Sequence, residues 1–185
     1  MCTDAGLTAY ETDDIMIRNQ TPAQRRAERA GARMPEMMIA LPEWERIPDI
    51  GLYMDQVLTL TERIFSRALP DGEITRSMVN NYVKSGLIPR PVGKKYDREH
   101  LALLIMIGLL KQALSMECIA RLLSLVCADG VEQGYARFVH EVRRQEETGA
   151  DGGSFCGGQD EALSISVSAA LYTVRAQRLL AAQQG

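Results

Sequence analysis

The run LALLIMIGLL, Leu101 to Leu110, constrains this chain more than any other segment. Ten consecutive apolar residues are too few to cross a bilayer, which takes about 20 in a helix. Asp97, four residues earlier, is a good N-cap, and Tyr96 and Leu101 bracket it as a hydrophobic staple would. The spacing therefore predicts a helix that is apolar nearly all round. Such a helix is stable only when other elements cover every face of it. The rest of the chain must supply that cover.

It has the means. The chain is 185 residues long, 46% apolar and 5% aromatic, which suits one domain with an aliphatic core plus extensions. A helix is expected over Leu52–Ala68, burying Val57, Leu60, Ile64, Phe65 and Leu69, followed by a turn at Pro70-Asp71-Gly72. The next helix starts on the N-cap Thr75 and stops at Gly86, with Pro89 beyond. Ser115 caps another helix after the apolar one. Two more follow, at Val131–Glu147 (Val131, Tyr135, Phe138, Val142) and at Asp160–Ala182 (Leu163, Val167, Ala170, Val174, Ala181). The latter either folds back on the core or pairs with its copy in a homodimer.

Less regular pieces separate these elements. Residues 1–40 read as a weakly ordered tail carrying a basic patch, Gln24 to Arg33. Leu41–Ile50, with Pro42 and Pro48, is an extended strap anchored by Trp44, the only tryptophan. Gly149–Gly158, with five glycines, is a hinge. Three regions result: the tail 1–40, a central domain 41–127 and a C-terminal helical region 128–185.

Net charge is −3, so the global field does not favour a polyanion, but the charge is unevenly spread. Glu36–Glu73 holds eight acidic and three basic residues, whereas Ile74–His100 holds six basic and two acidic. On a helical wheel Met78, Val79, Tyr82 and Val83 share one side, and Arg76, Ser77, Asn80, Asn81 and Lys84 share the other. Those side chains bond bases or phosphates, and no acid interrupts them. Any surface helix is polar outside, but Asn-Asn is poor helix chemistry without a further use. The loop Arg90–Tyr96 adds Arg90, Lys94 and Lys95 near Gly93, compatible with a small hairpin.

Other chemistries find little purchase. Cys2, Cys118, Cys127 and Cys156 form no CxxC pair and read as small buried thiols of a reducing cytosol. Cys156, in the hinge, has no basic neighbour to activate it. His100 and His140 match no metal or triad arrangement, and the glycine-rich hinge lacks the lysine of a phosphate loop. No enzyme, metal or cofactor is expected. With no membrane span and no signal peptide visible, the reading is soluble and cytoplasmic.

The segment Ile74–Leu123 resembles the DNA-binding domain of MerR-type regulators. The likeness lies in Tyr82, Gly86-Leu87, Pro89, Lys94-Lys95-Tyr96, Asp97 to Leu101, and Ser115-Met116 to Ile119-Leu122-Leu123. Roughly Leu41–Leu125 also resembles an uncharacterised bacterial family, a domain of unknown function described as possible regulators. The resemblance implies a mainly α fold: a winged helix-turn-helix with a small β-wing and extra C-terminal helices. It implies double-stranded DNA as partner and transcriptional regulation as role. In that register Asn80 replaces the usual recognition-helix arginine, while Lys94 and Lys95 replace the wing arginines. The losing of that arginine, with the acidic approach, leaves a second reading open: a protein-interaction module on the same scaffold without DNA binding. No metal-binding cysteines of the MerR kind follow Leu125.

Overall fold

The computed structural model describes residues 39–66, 69, 72–148 and 159–183. The expected tail up to residue 38, Pro70-Asp71 and the glycine-rich hinge lie outside the described residues, as do Cys2 and Cys156. Among the described residues six α-helices follow a short 3-10 turn, Trp44–Arg46. They are α1 (Met54–Phe65), α2 (Arg76–Lys84), α3 (Arg98–Leu110), α4 (Met116–Val126), α5 (Val131–Thr148) and α6 (Gln159–Ala182).

Helix α3 is the buried centre that its composition demands: every residue from His100 to Leu110 is buried. Helices α1, α5 and α6 all pack on it, and α6 also packs on α4 and α5. The C-terminal helices thus complete the same core as the central segment. The inner stripe of α6 is Leu163, Val167, Ala170 and Val174; Ala181, expected to continue it, is exposed.

The caps explain the boundaries. Met78 N–H donates to Thr75 Oγ1, His100 N–H to Asp97 Oδ1 and Cys118 N–H to Ser115 Oγ. At the end of α2, Gly86 adopts φ +76. Leu87 N–H then bonds Tyr82 O and Gly86 N–H bonds Val83 O, the paired bonds of a Schellman motif. That turn throws the chain outward and buries Ile88.

Helix α1 begins two residues later than its apolar pattern suggests. Leu52 exchanges both backbone hydrogen bonds with Tyr96 instead, at 2.8 Å each, and Gln56 Oε1 accepts from Tyr53 N–H to start the helix. The expected β-wing is correspondingly reduced. Among the described residues there is no extended strand, only isolated antiparallel bridges at Leu52–Tyr96 and Val92–Lys95. Between the latter, Gly93 (φ 58) and Lys94 (φ 64) both occupy the left-handed region, as a two-residue hairpin turn of the primed type requires.

The strap is held through its backbone. Tyr135 Oη–H donates to Pro42 O at 2.8 Å, and Arg143 donates to Leu41 O and pairs with Glu43. Ile39 N–H donates to Glu146 Oε1 at 2.7 Å, and Arg98 Nε–H donates to Ile47 O at 3.0 Å. Trp44 is half-buried, its ring 6.2 Å from that of Tyr135 and beneath the Arg98 guanidinium. It anchors the strap as expected, though within a 3-10 turn rather than an extended run.

Candidate functional site

The outer face of α2 is open. Arg76, Ser77, Asn80, Asn81 and Lys84 are all exposed, while Val79 and Tyr82 are buried and Met78 and Val83 half-buried beneath them. Arg90, Lys94 and Lys95 are exposed on the loop that follows. All eight residues singled out from the sequence are therefore at the surface.

The first turn of α1 joins the two parts. Asp55 pairs with Arg76 at the start of α2, and the Tyr53 ring lies beneath the Lys95 ammonium, 5.3 Å from its centroid. Lys95 also lies along Gly51, whose missing side chain leaves room for it: a Cβ there would sit 2.9 Å from Lys95 Cδ. Arg76 is close enough to the hairpin base to act on Tyr96, whose phenol burial pushes up and Arg76 partly draws back down. The start of α2 and the hairpin are thus neighbours, joined by residues 51–55.

Two consequences follow for charge. The Arg76 guanidinium is engaged by Asp55, and both groups are exposed, so the pair is weak and open to exchange for another anion. The remaining cations of the face and loop are Lys84, Arg90, Lys94 and Lys95. Lys94 extends from a left-handed position at the hairpin tip.

His100 fastens the hairpin to α3. Its Nδ1 lies 2.5 Å from Asp97 Oδ1, and its ring meets Tyr96 edge-on at 5.4 Å between centroids. Burial resists ionisation of Asp97, but the hydrogen bonds from His100 outweigh it and hold the carboxyl below its usual range. His100 is a structural residue of the cap, not a surface group.

The sequence reading missed Tyr53, Asp55 and two apolar residues beside them. Val92, next to the hairpin tip, is 83% exposed, and Ile50 is 53% exposed. No local pattern signals them, because the partners of Tyr53 and Asp55 stand 42 and 21 residues away. A separate cleft of about 500 Å³ lies between the end of α2 and α4, lined in part by Leu87, Pro89, Met116 and Leu123. Cys118 is exposed, against the expectation of buried thiols; Cys127, at the end of α4, is half-buried and burial pushes its thiol pKa up. Among the described residues no group of three or more His, Cys, Asp or Glu side chains is placed to hold a metal ion. None of the described helices is long and apolar enough to cross a membrane.

A family model described as Domain of unknown function (DUF1836) matches residues 42–138. The chain belongs to this family. The DUF1836 match takes in α1 to α4, the hairpin and the first part of α5, so it includes the whole candidate face. No curated protein and no solved structure matches the chain.

Proposed function

We propose that this DUF1836 protein is a transcriptional regulator that binds double-stranded DNA through the outer face of α2 and the Lys94-Lys95 hairpin, in a MerR-like winged helix-turn-helix manner. One observation carries the reading: the start of α2 and the hairpin are adjacent, bridged by Tyr53 and Asp55 of the α1 turn. Two cationic protrusions side by side match a duplex groove flanked by phosphate strands. Ser77, Asn80 and Asn81 face base edges or phosphates. Lys84, Arg90, Lys94 and Lys95 neutralise the backbone, and a phosphate competes with Asp55 for Arg76.

Selection from a pool of random duplexes at low salt tests this. Enrichment of a short common motif, lost in the Asn80→Ala, Asn81→Ala double variant, is the expected result. Recovery of no common motif refutes sequence-specific binding.

A second reading has its own observation. Ile50, Tyr53 and Val92 expose apolar surface around the hairpin, and Asp55 already engages Arg76. An apolar patch rimmed by charge also suits a protein partner, with no nucleic acid involved. Wild-type protein that fails to bind any duplex at low salt favours this second reading.

A further inference from the structure

Three side chains of α5 hold the strap by its backbone, and one of them is an acid. Tyr135 Oη–H donates to Pro42 O, Arg143 donates to Leu41 O at 3.3 Å, and Glu146 Oε1 accepts from Ile39 N–H at 2.7 Å. Spaced by eight and three residues, the three share one side of the helix. The strap's own Ile39 and Leu41 are buried in the core beside them, and Leu41 N–H donates back to Ile39 O at 2.8 Å.

The Glu146 carboxyl is poorly provided for as an anion. Its Oε1 has the Ile39 amide, but its Oε2 is buried and has no hydrogen-bond partner. A carboxylate needs donors at both oxygens; a neutral acid in a dry place needs less. The charged groups that face it are Arg143 and Glu147 on its own helix and Arg178 on α6, while Glu43 of the strap is paired with Arg143. The amide and the two guanidiniums favour ionisation, and burial and Glu147 oppose it. Burial is the largest of these effects, so Glu146 keeps its proton up to about 7.

We propose that Glu146 is a proton-operated latch, which holds the strap's end, Ile39 to Leu41, down on α5 while it is protonated and lets that end lift when it ionises. Lifting admits water to both carboxylate oxygens, which the docked strap denies them. The release stops at Pro42. Tyr135 holds that carbonyl, and burial pushes its phenol far above the usual range, so it keeps its proton throughout. Farther on, Arg98 holds Ile47 O, and Trp44 keeps its contacts with Tyr135 and Arg98. The latch is local, and it is independent of whether the chain binds DNA.

Linkage sets the size of the effect. A carboxyl that titrates near 4.5 with the strap lifted and near 7 with it docked weakens docking as pH rises. The loss is about tenfold for each pH unit across that interval, about 300-fold in all.

Amide hydrogen exchange of the full chain, corrected for the intrinsic pH dependence of exchange, measures the latch directly. Protection of Ile39, Ala40 and Leu41 is expected to fall by up to about 300-fold between about pH 4.5 and about pH 7.5, with Trp44 emission unchanged. In Glu146→Gln the side-chain oxygen still accepts from Ile39 N–H and carries no charge, so protection there is expected to be constant across the interval. Protection in wild type that does not change, or that falls equally in Glu146→Gln, overturns the inference. So does a wild-type Glu146 carboxyl carbon resonance that titrates near 4.5, a reading that needs no variant. A Trp44 emission that shifts with pH in step with the exchange would show the whole strap lifting, and overturns the local latch.

Discussion

Gly108 stands where the core has no room for one more carbon atom. It lies within buried α3 and faces the ring of Phe65, the last residue of α1. A Cβ placed on it would overlap Phe65, coming 2.7 Å from Cζ, and would press on Ile74 Cδ1 at 3.2 Å. Carbon atoms do not pack so closely, so Gly108→Ala forces the ring aside. Phe65 is itself fully buried, with no solvent to move into. Two effects compete. Alanine favours the helix by about 1 kcal/mol over glycine. Overpacking a closed core costs about 1–3 kcal/mol. Because the contact is a rigid ring in a filled space, the upper part of that range applies, and a net loss of about 1–2 kcal/mol is expected. For a chain of this length that lowers Tm by about 2–4 °C per kcal/mol. Urea denaturation followed by far-ultraviolet circular dichroism measures it. Phe65→Leu in the same chain should recover part of the loss, since the two sites are in contact and their effects are not additive. A Gly108→Ala variant as stable as wild type or more so would refute the close approach of α1 and α3.

Two further outcomes are expected. Burial pushes the Glu146 carboxyl up to about 7, opposed by the Ile39 amide and by Arg143 and Arg178, while Glu147 adds to it. The folded chain thus holds a proton that the unfolded chain releases near pH 4.5, so this group's contribution to stability falls as pH rises from about 4.5 to about 7. Glu146→Gln should flatten that part of the Tm–pH profile; an unchanged profile refutes the assignment. Tyr135→Phe should cost about 1–3 kcal/mol, because it leaves the buried Pro42 carbonyl without its donor. Emission of Trp44 should shift to the red as the strap loosens, and an unmoved spectrum would show that Tyr135 does not fasten it.

Local signals in the sequence were the most legible. Thr75, Asp97 and Ser115 as caps and Gly86 as a left-handed terminator depend on neighbours within a few residues, and each stands where its chemistry requires. The apolar run of α3 likewise dictates its own burial. What depended on distant partners was not legible. Leu52 continues the apolar pattern of α1, yet its backbone bonds Tyr96, 44 residues on, and the helix starts later. The charge of Arg76 reads as available until Asp55 is brought beside it. The exposed apolar residues of α6, Ile165, Tyr172 and Leu179, escaped notice because their spacing overlaps that of the inner stripe. That stripe, Leu163 to Val174, accounts for the fold by itself.

The claim that α2 and the hairpin grip one duplex together meets its most direct test in salt dependence. Lys84, Arg90, Lys94 and Lys95 neutralise four phosphates, and Arg76 adds no net release because the Asp55 it leaves takes up a cation in exchange, so log K against log salt has a slope near −3.6, at about −0.9 per contact. Fluorescence anisotropy on a labelled duplex should show that slope per protomer, and Lys94→Ala with Lys95→Ala should reduce it to about −1.8. A slope that both lysine substitutions leave unchanged would contradict the account.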